Sequence, residues 1–151
     1  MQNARPKLKV LFLCAGNSCR SQMAEGWARA LKSDVLEAYS AGIETRGLDT
    51  RAVTAMAEEG IDISGQRSKR LSDLMGIEFD YVVTLCDEAK ESCLTFPGKA
   101  PIIHKGFDDP PRLARDASTE SEALGHYRRV RDEIRAFVTA ISDVLIQNEG
   151  Q

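Results

Sequence analysis

Residues 9–14, KVLFLC, run apolar without alternation after a single lysine. That is the pattern of a strand covered on both faces. Residues 21–32, SQMAEGWARALK, place Met23, Trp27, Ala30 and Leu31 at helical spacing and predict a helix with one packed face. VLEAYSAG at 35–42 predicts a second strand closed by Gly42. DTRAVTAMAEEG at 49–60 predicts a helix capped by Asp49 or Thr50, striped by Val53, Met56 and Ala57, and stopped by Gly60. DYVVTLC at 80–86 predicts a third strand that ends in a cysteine. APIIHKGF at 100–107 predicts a short fourth, followed by the turn signal DDPP. From Glu120 to Gln147, Tyr127, Val130, Ile134, Phe137, Val138, Ile141 and Leu145 recur every three or four residues, the pattern of one long helix.

Strands alternating with helices predict a parallel sheet with both faces covered, in a single domain spanning 1–151. Ligands of such sheets sit beyond the carboxyl ends of the strands. Cys14 follows the first strand, Cys86 ends the third, and Asp108 and Asp109 follow the fourth. The strand assignments alone bring all three to one edge.

A composition of 42% apolar and 28% charged residues is that of an ordinary folded protein. The formal net charge of −3 offers no attraction to nucleic acid or to an anionic membrane. No apolar segment approaches the roughly 20 residues needed to span a bilayer. The first ten residues lead into a β-like run without a small-residue cleavage site, which predicts a cytoplasmic protein. In a reducing compartment Cys14, Cys19, Cys86 and Cys93 are catalytic, metal-binding or buried rather than permanently bridged. Their C-x4-C and C-x6-C spacings do not fit the short pairs of structural zinc sites, so no metal is expected.

Cys14-Ala15-Gly16-Asn17-Ser18-Cys19-Arg20-Ser21 reads C-x5-R-S between strand and helix. A loop this short can aim successive backbone N–H groups at one centre and form an anion nest. Gly16 and Asn17 tolerate the positive φ that such a curl demands. The helix adds its positive end, and Arg20 adds a planar fork for two oxygens of a tetrahedral anion. The same field is expected to lower the pKa of Cys14 from about 8.5 into a range of roughly 3.5–7.5. Ser21 could donate a hydrogen bond to its sulfur. The loop therefore reads as a device that ionises a nucleophile and holds its target.

CAGNSCRSQMAEGW resembles the signature of the low-molecular-weight tyrosine phosphatase superfamily, and within it the thioredoxin-coupled arsenate reductases. The similarity continues through YSAGIET, DIS, DYVVTLCDEAKESC, GFDDP and YRRVRDEI, from about Lys9 to Phe137. It implies a flavodoxin-like three-layer α/β sandwich with a four-stranded parallel sheet and a phosphatase-type P-loop. It further implies arsenate as substrate, phosphate or sulfate as analogues, and Cys14, Arg20, Cys86, Cys93 and Asp109 as catalytic residues. The loop residues Ala15 to Ser21 would bind the oxyanion. In the implied reaction Cys14 attacks arsenic and Asp109 protonates the departing oxygen. Cys86 then attacks Cys14 and releases arsenite, Cys93 attacks Cys86, and thioredoxin reduces the final bridge. No bound cofactor is implied.

DEAKES between Cys86 and Cys93 is helix-forming, which would set the two thiols two turns apart on one face. Seven helical residues span about 10 Å, too far for a disulfide. The segment is therefore expected to be helical when reduced and looped when oxidised. Cys19 reads as a small packing residue, His104 and His126 as filler, and RRVR at 128–131 as a solvated face. Asp108 orients the turn. Some family members bind potassium through residues matching Asn17, Glu25, Ser40 and an aspartate; Lys69 stands at the aspartate position and is expected to satisfy Glu25 itself. Lys105 stands where relatives often carry an aromatic residue. Two rival readings are a tyrosine phosphatase working through a Cys14 phosphocysteine and a non-catalytic oxyanion or redox sensor. Pro111 occupies the place where tyrosine phosphatases usually set an aromatic.

Overall fold

The structure is a computed structural model that describes residues 6–87, 89 and 100–149, the last four by backbone alone. Strands β1 (Leu8–Cys14), β2 (Leu36–Gly42), β3 (Tyr81–Thr84) and β4 (Ile102–His104) form one parallel sheet in the order β2-β1-β3-β4. β1 lies between β2 and β3, and Val10 through Leu13 are fully buried. The unbroken apolar run is thus a central strand with both faces covered.

Alternation along the strands divides the core in two. Val10 and Phe12 face a layer made by helix α1 (Arg20–Leu31), the helix α4 (Glu120–Thr139) and the helix α5 (Ile141–Glu149), through Met23, Trp27, Tyr127, Ile134 and Ile141. Leu11 and Leu13 face the other side, where Cys14, at the end of the strand, joins them against Val82, Cys86 and Ala89, flanked by Leu71, Leu74 and Phe79. Leu71 and Leu74 bound a 3₁₀ turn that the periodicity did not predict. Helix α2 (Thr50–Ala57) is capped by Asp49, whose side chain accepts from the Arg51 amide. It turns off at Gly60, which takes φ +79.

Five sequence expectations shift. The packed stripe of α2 is Ala52, Ala55 and Met56, while Val53 is half-buried and Ala57 exposed. The packed stripe of α1 is Met23, Ala24, Trp27 and Ala28, while Ala30 and Leu31 are exposed. The long C-terminal helix is two helices, broken at Ala140, whose amide bonds several carbonyls of the last turn. The DDPP turn opens a short helix α3 (Pro110–Ala114), because Pro at the first helical position has no amide to waste and a preset φ. Arg131 is buried rather than solvated, donating to the Ala55 carbonyl and to Glu58 at 2.9 and 3.0 Å. No helix among the described residues is long and apolar enough to cross a membrane.

Candidate active site

The loop from Cys14 to Cys19 is held from outside through its carbonyls. Those of Cys14, Ala15 and Gly16 accept from the amides of Ile43, Glu44 and Arg46 at 3.2, 3.0 and 3.0 Å. The Asn17 carbonyl accepts from Gln22 Nε2 at 3.0 Å, and the Ser18 carbonyl from the Asp49 amide at 2.9 Å. In a trans peptide the N–H points opposite to the C=O. Carbonyls turned outward therefore turn the following amides inward, a consequence of what grips the loop from behind.

Asn17 supplies the bend, with φ 48; Gly16 keeps a negative φ. The Asn17 side chain then ties three elements together. Its Nδ2 donates to Ser21 Oγ at 2.8 Å, and its Oδ1 accepts from Gln22 Nε2 at 3.0 Å and from the Lys69 amide at 2.7 Å. Space is short where β2 passes the loop. A Cβ on Gly42 would sit 2.4 Å from the Glu44 carbonyl oxygen and 2.7 Å from the Asn17 nitrogen, both backbone atoms that cannot swing away.

Arg20 opens α1 and is almost wholly buried. Its Nη1 donates to the Phe107 carbonyl at 3.1 Å, and its Nη2 lies 3.6 Å from Asp109 Oδ1. Its Nε is buried and without a hydrogen-bond partner among the described residues. A buried guanidinium donor left unmatched is costly, and an oxyanion seated on the nest is the partner that such geometry suits. Asp109 precedes α3 without bonding its first amides, so its carboxyl group, one-third exposed, is not consumed in capping. Asp108 pairs instead with Arg129 Nη2 at 2.9 Å, which anchors the turn as its sequence position suggested.

The thiols of Cys14 and Cys86 meet by a hydrogen bond, both buried. That bond and burial push the Cys14 thiol well above its usual range, against the pull of Arg20 and of the Ala15 amide. The direction is opposite to the one expected from the loop alone. The sequence shows the loop's positive field but not a second thiol from the next strand competing for the same proton. Ser21 serves the loop through Asn17, whereas the Cys14 thiol bonds Cys86 and accepts from the Ala15 amide. Cys19 packs in the core, as expected. Cys93 lies outside the described residues, as does most of the predicted helix before it.

Behind the loop, buried Glu25 accepts from Ser40 Oγ at 2.5 Å, pairs with Arg29 at 2.6 Å, and faces Lys69 Nζ at 3.9 Å. The lysine does reach Glu25. Lys105, in place of an aromatic, sets its ammonium 5.5 Å from the Phe107 ring centroid. Among the described residues no group of three or more His, Cys, Asp or Glu side chains is placed to hold a metal ion. His104, read as filler, has partners: its Nδ1 is 2.8 Å from Thr84 Oγ1 and its Nε2 3.4 Å from Asp87 Oδ1. Its signal was its register opposite Thr84, which no local spacing reveals.

The chain is 52% identical over 126 residues to the arsenate reductase of Bacillus subtilis strain 168, covering 83% of this chain and 88% of that one. A solved arsenate reductase in its phosphate-binding state is 30% identical and superposes with a TM-score of 0.69, over 89% of this chain and 95% of that one. A low molecular weight protein tyrosine phosphatase from T. tengcongensis, also 30% identical, superposes with a TM-score of 0.70 over 94% of this chain and 99% of that one. The four-stranded parallel sheet and its flanking helices are those of these neighbours. The pattern of the low molecular weight phosphotyrosine protein phosphatases matches residues 9–149, so the chain belongs to that family.

Proposed function

We propose that this chain reduces arsenate to arsenite, with thioredoxin as the external reductant. The observation that carries the reading is the pairing of Cys86 with Cys14 inside the oxyanion loop. Phosphoryl transfer needs one thiol there; a two-electron reduction needs a second within reach of the first.

Cys14, its proton passed to the incoming anion, attacks arsenic as the thiolate while the amides of Ala15 to Ser21 and Arg20 hold that anion. An oxygen leaves as water, protonated by Asp109, and a sulfur–arsenic bond forms. Cys86, as thiolate, attacks the Cys14 sulfur. The electron pair of the sulfur–arsenic bond passes to arsenic, which departs as arsenite, and Cys14–Cys86 is oxidised to a disulfide. Cys93 then attacks Cys86, freeing the Cys14 thiolate and leaving Cys86–Cys93 for the thioredoxin dithiol. Arg20 eases each exchange by stabilising Cys14 as a leaving thiolate. The relatives named arsenate reductase support this reading.

The test is arsenate turnover coupled to thioredoxin, with alkylation mapping of the cysteines after one turnover. Cys86→Ser should lose arsenite production yet keep hydrolysis of a small aryl phosphate, and Cys14→Ser should lose both. Arsenite production by Cys86→Ser at the unsubstituted rate would rule the relay out.

A further inference from the structure

Thr84 and His104 are register partners on β3 and β4, so their side chains stand on one face of the sheet. Cys86 lies two residues beyond Thr84, and its side chain joins the same face as Val82. The imidazole spans the segment on both sides of this cysteine, with Nδ1 2.8 Å from Thr84 Oγ1 and Nε2 3.4 Å from Asp87 Oδ1. Backbone pairing to the fourth strand continues through Lys105 N to Thr84 O and Phe107 N to Leu85 O, at 2.8 and 3.1 Å. Beyond Leu85, the His104–Asp87 contact holds the residue that immediately follows Cys86.

We propose that His104 is a positioning residue for Cys86, clasping the turn that presents this thiol to Cys14. The hydroxyl of Thr84 can donate or accept. The ring can therefore bond Thr84 through Nδ1 in either tautomer while its Nε2 faces Asp87. The Asp87 side chain is 91% exposed, so the clasp closes from solvent and can open without disturbing the core. A thiol that must attack one sulfur and later be attacked by another needs such a hold, firm for the first exchange and releasable for the second. The inference rests on the relay proposed above.

The test measures formation of the Cys14–Cys86 bridge in single turnovers, with arsenate in one arm and the thiol oxidant diamide in the other. Alkylation of Cys14 by iodoacetamide reads the first thiol alone. His104→Leu should slow bridge formation about tenfold, the size of the lost Thr84 hydrogen bond, in both arms without slowing Cys14 alkylation. His104→Gln, whose amide can bond both partners, should restore most of the rate. Asp87→Asn, at an exposed position that cannot unfold the protein, should fall between them. Unchanged bridge formation in His104→Leu and Asp87→Asn overturns the clasp, as does an equal loss of Cys14 alkylation. Bridging of the unsubstituted protein by diamide but never by arsenate would overturn arsenate reduction instead, with the clasp still scored in the diamide arm.

Discussion

Cys14, at the end of β1, and Cys86, just past the end of the neighbouring β3, share a hydrogen bond between buried thiols. Because β1 and β3 are parallel and adjacent, both chain ends arrive at the same sheet edge, where Cys14 leaves the alternation of β1 and joins Cys86 beside Leu11 and Leu13. Arg20 and the Ala15 amide draw Cys14 toward the thiolate, while Cys86 and burial hold its proton. The second thiol is therefore a brake on the first as well as its partner.

Releasing that brake is measurable. Cys86→Ala removes the hydrogen bond, the largest cause of the raised Cys14 thiol, and leaves Arg20 and the Ala15 amide in place. Thiolate absorbance should then appear at lower pH than in the unsubstituted protein, and iodoacetamide should alkylate Cys14 faster at neutral pH. A titration displaced toward alkaline pH would contradict this balance.

Asn17 combines a left-handed backbone with three side-chain bonds, and two substitutions separate these roles. Asn17→Ala loses the bonds and keeps a Cβ at positive φ; it should destabilise the fold by about 2–4 kcal/mol in denaturant titration, since buried donors on Gln22 and Lys69 lose an acceptor. Asn17→Gly loses the same bonds without the Cβ and should be less destabilising than Asn17→Ala by about 1 kcal/mol.

Burial, with Asp49 beside it, pushes the Cys19 thiol up, and Cys14 moves in the same direction. Below about pH 8.5 both thiols are protonated, folded or unfolded, and their contribution to stability is whole. Above it the unfolded chain releases protons that the fold retains, so stability falls with pH, by up to about 1.4 kcal/mol per unit for each thiol. The denaturation midpoint should decline from neutral to alkaline pH, and Cys19→Ala should flatten the decline.

What the sequence discloses and what it withholds divide along a physical line. The strands and the loop from Cys14 to Arg20 are legible because an unbroken apolar run and a C-x5-R-S spacing encode them within a few residues. The direction of the Cys14 shift is not, since it depends on a thiol 72 positions away that only strand pairing brings near. Arg131 looks solvated among acidic neighbours, yet helix packing sends its guanidinium to the end of α2, where the Ala55 carbonyl and Glu58 receive it. The bonds of His104 to Thr84 and Asp87 exist only through the register of β3 and β4.

Lys69 gives the last prediction. Its amide holds Asn17 Oδ1, its Nζ donates to the Arg67 carbonyl at 2.7 Å, and the same ammonium faces buried Glu25. Lys69 and Glu25 border a cavity of about 470 Å³ that Arg29 and Arg67 also line. A lysine ammonium there carries the positive charge that Glu25 requires, and it repels a second cation. Activity and melting temperature of the unsubstituted protein should therefore be the same in potassium and sodium salts at matched ionic strength. Lys69→Asp reverses the local charge while leaving the backbone amide for Asn17. With two carboxylates and the Ser40 hydroxyl around one space, the variant should melt at a lower temperature in sodium than in potassium. Arg29 remains on Glu25 and limits the effect, so Lys69→Asp combined with Arg29→Ala should respond more strongly. A potassium response already present in the unsubstituted protein, at the size seen in Lys69→Asp, would show that the ammonium does not fill this role.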